Sequence, residues 1–252
     1  MLKRRIIPVL LLKGGRMVKG RQFSEFRDTG DPVSASRIYS AQKADELVFI
    51  DIEASGQNRA TLTSLIERVS EECFMPFTVG GGIRSIGDVR ELVRAGADKV
   101  LINTGAAEVP HLIRDAAGSF GRQCIVVGID VRREEADYRL YTHCGRQPID
   151  TKLEDYIARV EADGAGEILI NSIDCDGMMQ GYDLDLLRRV KQCATRPVIA
   201  MGGAGHFQHL ADVLTADLAH AVACASLFHF GDNNPIRARA FLKNRGLPVK
   251  NV

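Results

Sequence analysis

Short apolar segments rich in valine and isoleucine alternate along this chain with longer segments of helical periodicity. Such alternation is typical of βα units that assemble on a parallel sheet. The segments predicted as strands are residues 5–11, 46–51, 75–79, 99–103, 123–130, 167–172, 197–201 and 219–224. The segments predicted as helices include residues 60–72, 86–95, 153–163, 184–193, 207–215 and 235–244, and residues 13–31 are expected to join the first strand to a further helix. Eight such units within 252 residues predict an α/β fold of the (β/α)8 or TIM barrel type.

The second half of the chain repeats the first. Adding 121 to the residue number carries segment 46–51 onto 167–172 and segment 79–82 onto 200–203. With a small slippage, segment 99–104 falls on 221–226 and Leu11 falls opposite Asp130. A repeat of this length contains four βα units, whereas solenoid repeats are about 20–50 residues long. We therefore predict one barrel domain, residues 1–252, built from half-barrels of about residues 1–121 and 122–252.

The charge balance and the cysteines exclude several classes of partner. The 33 Lys and Arg residues against 32 Asp and Glu residues give a net charge of +1, so no overall attraction to nucleic acid or to an anionic membrane is expected. No apolar run reaches the roughly 18 residues of a membrane span. The six cysteines are dispersed without metal-ligand spacing, which favours a reduced cytoplasmic protein with no metal site.

Glycines cluster at the ends of matching strands in the two halves, at residues 80–82 and at 202, 203 and 205. Small residues let a backbone approach a phosphate closely. The pairs Asn103 with Thr104 and Ala225 with Ser226 follow one unit later in each half and can add donors. A single glycine cluster would be a routine turn. The repetition favours a ligand with two phosphates.

Two long segments follow strands at the face where barrel active sites lie. Residues 13–31 are basic and contain glycine, which is consistent with a mobile lid or with a disordered insertion. Residues 131–150 interrupt the fifth unit, and the alternation at 138–142 predicts a small hairpin.

Charged residues mark both ends of the predicted strands. The carboxylates at the C-terminal ends are Asp51, Asp130, Asp174 and Asp176. Asp130 is the best acid or base candidate because it ends an otherwise apolar strand, whereas Asp174 and Asp183 suit helix capping. Arg5, Glu46, Lys99 and Glu167 begin strands. The residues alone favour a ring of ion pairs that plugs the bottom of the barrel.

Several strings in this chain resemble one enzyme family. They are residues 4–8, 16–20, 30–32, 44–49, 78–84, 95–100, 123–127, 174–177 and 228–231. Together they resemble the cyclase subunit of imidazole glycerol phosphate synthase, the HisF family, through essentially the whole chain. The resemblance implies a (β/α)8 barrel without a cofactor. Its N-terminal face would dock a glutaminase subunit in a heterodimer, and ammonia would cross the barrel to a phosphorylated small-molecule substrate.

The resemblance also implies roles for individual residues. Arg5, Glu46, Lys99 and Glu167 match the gate through which ammonia enters, and Asp98 matches a residue that faces the glutaminase. One phosphate site is implied at Gly82, Asn103 and Thr104. The other is implied at Gly177, Gly203, Ala225 and Ser226, with substrate contacts from Lys19 and Asp176. Asp130 matches one of two catalytic aspartates.

Leu11 stands where the family has its second catalytic aspartate. Leucine has no ionisable proton, and loss of a catalytic acid or base removes on the order of 10²–10⁴ in rate. Val9, Asn171 and Met201 also replace a usual cysteine, threonine and serine. Three hypotheses stay open: a slow cyclase subunit, a paralogue that hands ammonia to an enzyme amidinating a surface-polysaccharide sugar, and a non-catalytic binding barrel or scaffold.

Overall fold

The computed structural model of the protein describes residues 3–53, 59–135 and 137–250. The strands are β1 (Arg5–Lys13), β2 (Arg16–Arg21), β3 (Ser24–Gly30), β4 (Leu47–Asp51), β5 (Phe77–Gly80), β6 (Lys99–Ile102), β7 (Ile125–Glu134), β8 (Asp137–Thr142), β9 (Gln147–Ile149), β10 (Glu167–Ser172), β11 (Val198–Met201) and β12 (Ala221–Cys224). The helices are α1 (Pro32–Ala41), α2 (Arg59–Glu72), α3 (Ile86–Arg94), α4 (Thr104–Glu108), α5 (Leu112–Phe120), α6 (Leu153–Ala162), α7 (Leu184–Cys193), α8 (Phe207–Thr215), α9 (Ser226–His229) and α10 (Pro235–Asn244).

Eight of these strands form a closed parallel barrel in the order β1, β4, β5, β6, β7, β10, β11 and β12. The barrel closes where β12 pairs with β1, with Arg5 opposite Ala221. The predicted (β/α)8 fold is confirmed, and each predicted strand corresponds to one barrel strand. The ends of the strands differ by a few residues; the fifth predicted strand, for example, runs on as far as Glu134. The division into one domain of two half-barrels stays a prediction.

An antiparallel hairpin follows the first barrel strand of each half. Strand β2 pairs with β1 and with β3, while β8 pairs with β7 and with β9. The hairpin predicted at residues 138–142 is confirmed. The alternative of a disordered insertion at residues 13–31 is wrong, because two ladders hold that segment against β1. Backbone hydrogen bonding to a strand that is already buried supplies the order that its charged sequence does not suggest.

Six predicted helices are present, and α1 is the helix expected after residues 13–31, whereas no bounds were predicted for α1, α4, α5 and α9. Helix α1 carries a clear signal, because the Asp31 side chain accepts from the backbone N–H of Ser34 and Pro32 occupies the first turn. Helices α4 and α9 have five and four residues and follow matching strands β6 and β12. Segments this short contain no full amphipathic period that a sequence pattern can show.

Two apolar clusters surround the strands. The larger one packs the outward side chains of the barrel, such as Phe49 and Val127, against the helices. The smaller one fills the lumen with side chains that include Ile7, Val48 and Leu169. Because successive side chains of a strand point to opposite faces, each barrel strand contributes to both clusters. The lumen is therefore a packed core that the polar side chains at either end of the strands continue.

Candidate active site at the ends of the barrel strands

Side chains of one strand face recur at every second residue, and this periodicity arranges the lumen in layers. On β1 the lumen residues Ile7, Val9 and Leu11 follow Arg5, and on β10 Leu169 lies between Glu167 and Asn171. The layer at the N-terminal ends of the strands is charged, the middle is apolar, and the C-terminal layer contains polar side chains. A molecule that moved along the barrel axis would meet these environments in that order.

The four charged residues at the N-terminal ends form a closed ring in which the signs alternate. Arg5 Nη1 lies 2.6 Å from Glu46 Oε1 and 3.0 Å from Glu167 Oε1. Lys99 Nζ lies 3.1 Å from Glu46 Oε2 and 3.3 Å from Glu167 Oε1. Burial lowers the pKa of Arg5, but the carboxylates of Glu167 and Glu46 outweigh this effect and leave the pKa raised. The ring predicted from the sequence is confirmed as an arrangement of ion pairs.

Asp98 immediately precedes the ring residue Lys99 and lies exposed on the same face of the barrel. Its carboxylate accepts a hydrogen bond from the backbone N–H of Phe77 at 2.9 Å, and its backbone N–H donates to the Phe77 carbonyl. The β5 and β6 ends are therefore fixed to each other beside the ring. Phe74, just before β5, is 90% exposed. This face thus presents an acidic and a large apolar side chain to solvent.

Asp130 lies at the opposite end of the lumen, held between two amides. Asn103 Nδ2 donates to Oδ2 of Asp130 at 3.0 Å, and Asn171 Nδ2 donates to Oδ1 at 3.1 Å. Burial raises the pKa of Asp130 to about 7; the two amides act in the opposite direction and the charge of Asp176 adds to the rise. A carboxyl group with a pKa near neutrality can both take and give a proton at physiological pH. Asp130, predicted as an acid or base, therefore lies where its carboxyl group can exchange a proton near neutral pH.

Leu11 is part of the apolar lumen and is 6% exposed. It pairs with Ile50 on β4 and with Val18 on β2, and all three side chains belong to the lumen cluster or pack against it. Met201 is buried in the same cluster. The C-terminal layer of the lumen thus has a polar side at Asp130 and an apolar side at Leu11.

The first glycine-rich turn adjoins Asn103 and Thr104. Gly82 has a φ of +60°, which favours glycine, and Thr104 Oγ1 accepts from the backbone N–H of His143 at 3.1 Å. Thr104 Oγ1 lies 3.4 Å from Asn103 Oδ1. The β8–β9 turn thereby lies against the site implied at Gly82, Asn103 and Thr104. His143 and Arg84 also contact opposite oxygens of Glu108, each at 2.6 Å.

The second glycine-rich turn forms a narrow crevice. It is lined by Lys19, Asp176, Gly177, Met201, Gly202, Gly203, Ala204, Ala223, Cys224, Ala225 and Ser226. A Cβ atom at Gly203 would overlap the carbonyl oxygen of Gly181, and one at Gly177 would overlap that of Gly20. Ser226 is buried, and its Oγ has no hydrogen-bond partner among the described residues. The crevice brings together all four residues implied for the second phosphate site, Gly177, Gly203, Ala225 and Ser226.

Lys19 and Asp176 form a buried ion pair across this crevice. Lys19 Nζ donates to both Asp176 oxygens at 2.8 and 2.9 Å, and the two side chains are 1% and 5% exposed. Gln22 strengthens the same contact, since its backbone N–H donates to the Asp176 carbonyl. The β2–β3 hairpin is thus seated on the loop after β10. The sequence predicted both residues in the site but not their contact, because 157 positions separate them.

Within residues 3–53, 59–135 and 137–250, no group of three or more histidine, cysteine, aspartate or glutamate side chains is arranged to hold a metal ion. In the same part of the chain, no helix has the length and apolar character needed to cross a membrane.

The fold and the site define a class: (β/α)8-barrel enzymes whose site lies at the C-terminal ends of the strands. Within that class, a family model described as "Histidine biosynthesis protein" matches residues 5–234. The chain belongs to this family, which comprises barrel enzymes of the isomerase and cyclase types.

The sequence did not identify Asn171 as a site residue, although it marked the position as a departure from the resembled family. The signal was its place two residues beyond Leu169 on a strand that begins with Glu167. A period of two puts all three side chains on the lumen face. His143 carried no signal, since its contact with Thr104 arises only when the hairpin folds back.

Proposed function

We propose that the protein is a cyclase-type subunit of a glutamine amidotransferase complex. It receives ammonia from a glutaminase at the N-terminal face of the barrel and delivers it through the lumen to a phosphorylated acceptor at the C-terminal face. The observation that carries this proposal is the closed ring of Arg5, Glu46, Lys99 and Glu167 at one end of a lumen that has Asp130 at the other.

The ring is unusual for a purely structural feature. Removing two pairs of charges from water is costly, and apolar side chains of similar volume would often stabilise a barrel at least as well. A ring of ion pairs is instead a barrier that opens when one partner swings away. The apolar middle of the lumen suits passage of neutral ammonia, which loses less on leaving water than an ion does.

The N-terminal face supports a protein partner. Asp98 and the exposed Phe74 lie on it beside the ring, and an exposed aromatic side chain is the kind of residue that contributes most to protein interfaces. We propose a heterodimer with a glutaminase of the type found in histidine biosynthesis.

Leu11 favours a second candidate for the chemistry itself. With the apolar Leu11 opposite Asp130 in place of a second carboxyl group, cyclisation that needs an acid or base group at both positions would be slow. The second candidate is a paralogue that hands ammonia to an enzyme amidinating a surface-polysaccharide sugar. The two glycine-rich turns would then hold a different phosphorylated compound. A non-catalytic scaffold is disfavoured because it has no use for the ring.

The test is to measure glutamine-driven transfer of nitrogen in a reconstituted complex with a glutaminase subunit, using wild-type barrel and Lys99→Met. Because a ring without Lys99 cannot close behind the ammonia, which then escapes to solvent, the variant should lose about tenfold or more of the glutamine-driven reaction while retaining the reaction driven by added ammonium chloride. Lys191→Met, which removes an exposed lysine paired with Asp217, is the matched control and should retain both. Equal glutamine-driven rates in Lys99→Met and wild type would refute an ammonia entrance at the ring.

The compound that accepts the nitrogen distinguishes the three candidate functions. Turnover of the histidine-pathway bisphosphate at the rate of a relative with both aspartates would establish a cyclase. Glutaminase activation without such turnover would support the paralogue, and no response of any tested glutaminase would support the scaffold.

A further inference from the structure

Asn171 lies in the C-terminal layer of the lumen, between Asp130 and Met201. In the parallel ladders Asn171 is opposite Asp130 on β7 and opposite Met201 on β11. The residue is 3% exposed, so its amide has left water almost completely. A buried amide loses stability unless its donors and its acceptor both find partners.

The two amides that hold Asp130 differ in how their oxygens are satisfied. Both donate through Nδ2 to the carboxylate. Asn103 Oδ1 lies 3.4 Å from the hydroxyl of Thr104, which can donate to it. Asn171 Oδ1 is buried and has no hydrogen-bond partner among the described residues. An unpaired buried acceptor is destabilising, so the site is incomplete without a donor.

The surroundings of Asn171 Oδ1 limit what that donor can be. A Cβ atom at Gly202 would lie 2.8 Å from Oδ1, so glycine is required there and little space remains on that side. Met201, its neighbour in the ladder, has an unbranched and adaptable side chain that can move to admit a small molecule. The nearby Asp130 disfavours an anion, and the apolar cluster that contains Met201 and Leu11 disfavours an ion of either sign. The donor that fits is small and uncharged, with N–H or O–H groups.

We propose that Asn171 is a positioning residue whose Oδ1 accepts a hydrogen bond from ammonia and thereby holds the nitrogen beside Asp130. This inference rests on the proposed function, which brings ammonia into the lumen. Each oxygen of Asp130 accepts one amide N–H and retains a second lone pair, so the same ammonia can also donate to the carboxylate. Asn171 would therefore determine where the arriving nitrogen waits for its acceptor.

The test uses the full chain labelled with ¹⁵N and ¹³C at asparagine and follows the side-chain amide signals by NMR. Ammonium chloride is the probe, added at a pH where much of it is ammonia, against tetramethylammonium chloride at equal ionic strength. Asn171 signals, assigned by their loss in Asn171→Thr, should shift saturably with ammonia only. The proposal is overturned if they do not shift, as expected if water alone satisfied Oδ1, or if both salts shift them equally, as expected from a general salt effect.

Two variants separate binding at the oxygen from general effects on the lumen. In Asn171→Leu, labelled with ¹³C at aspartate, the apparent ammonia affinity read from the Asp130 carboxyl signal should weaken about 2- to 10-fold, the range of one hydrogen bond. In Ile7→Val, which shortens an apolar side chain of the lumen close to the ring, that affinity should stay within about twofold. Equal losses in the two variants would contradict the proposal. Unchanged backbone amide spectra are the control for folding.

The inference about Asn171 and the proposed function can be refuted separately. A saturable shift together with no glutaminase response would leave Asn171 as an ammonia acceptor and refute the amidotransferase role. Glutamine-driven transfer without any shift at Asn171 would refute only this inference.

Discussion

Leu11 and Asp130 occupy equivalent positions in the two halves of the barrel. Each is the residue at which a barrel strand first pairs with the antiparallel strand that follows it, Leu11 with Val18 and Asp130 with Tyr141. Their strands, β1 and β7, are four places apart in the closed order of eight and therefore lie on opposite sides of the lumen. One backbone position thus carries an apolar side chain in one half and a titratable one in the other.

Replacing Leu11 by aspartate tests whether this difference limits the chemistry. We expect wild type to cyclise the histidine-pathway intermediate poorly and Leu11→Asp to gain about 10- to 100-fold, because a second acid or base typically contributes that much or more. Leu11→Asn, which adds a polar group of similar size without a titratable proton, is the control. No gain in Leu11→Asp would mean that Val9, Asn171 or Met201 also restrict turnover.

Leu11→Asp should also lower the stability of the protein. A carboxylate placed in the apolar cluster around Leu11 has no partner there, so we expect the free energy of unfolding to fall by about 1–3 kcal/mol. Urea denaturation measures the difference. An unchanged value would show that the layer is already hydrated.

The raised pKa of Asp130 predicts a specific pH dependence of stability. With a pKa of about 7 in the folded state against 3.8 as the ordinary value, the folded protein holds a proton that the unfolded chain releases. Stability from this group is therefore complete at acid pH and is lost as the pH rises through about 7. Removing the group should make the protein more stable at pH 8, by about 4 kcal/mol at most.

The measurement is the difference in unfolding free energy between wild type and Asp130→Asn at pH 5, 6, 7 and 8. A difference is needed because burial lowers the pKa of His229 to about 4, which gives the opposite slope below its ordinary 6.5. His229→Gln should accordingly flatten the loss of stability on the acid side. A difference between wild type and Asp130→Asn that is constant with pH would show that Asp130 titrates normally.

Removing only one partner of the buried ion pair between Lys19 and Asp176 should destabilise the packing of the β2–β3 hairpin. Lys19→Met leaves an unpaired buried carboxylate, and such changes cost about 3–5 kcal/mol. The double variant with Asp176→Leu should recover most of this loss, since it leaves no isolated charge. Arg16→Met is the matched control on the same hairpin, because its pair with Asp28 is exposed and is worth about 1 kcal/mol or less. Similar losses in all three variants would contradict this ranking.

Gly203 should tolerate no side chain. Gly203→Ala places a Cβ atom against the Gly181 carbonyl at a φ of +105°, so both stability and binding of inorganic phosphate should decrease. Gly118→Ala is the control, since that glycine lies in helix α5 with nothing near its Cβ position, and this variant should raise the free energy of unfolding by about 0.5–1 kcal/mol.

Crystals grown with sulfate should show anions at Gly82 and Thr104 and at Gly203 and Ser226. Retained phosphate affinity in Gly203→Ala would place the anion elsewhere.

The barrel could be predicted because each of its strands has a recognisable local sequence pattern. Runs such as Ile125 to Ile129 are apolar on both faces, as strands covered by helices and filled by a lumen must be. The β2–β3 hairpin could not be predicted in this way. Its sequence is charged, and its order comes from pairing with β1 and from the Lys19 contact with a residue 157 positions away.

Only part of the candidate site could be predicted, because local patterns do not show contacts between residues that are distant in the sequence. The ring followed from four charges at strand starts, since strands of one barrel bring their ends together. The amides around Asp130 did not follow, because Asn103 and Asn171 reach it from different strands and a lone asparagine has no sequence signature of its partner. Local patterns thus located the layers, while the contacts between strands had to be observed.

The two hairpins and the two glycine-rich turns give the mouth of this barrel an approximate twofold symmetry, and that symmetry has a consequence for orientation. A compound with a phosphate at each end could enter such a mouth in either direction. The buried ion pair of Lys19 and Asp176 lies at one of the two glycine-rich turns, whereas the contact of His143 with Thr104 lies at the other. The two phosphate sites therefore differ in their side chains although their backbones are similar. These side chains, rather than the duplicated backbone, would determine the orientation in which a compound with two phosphates binds.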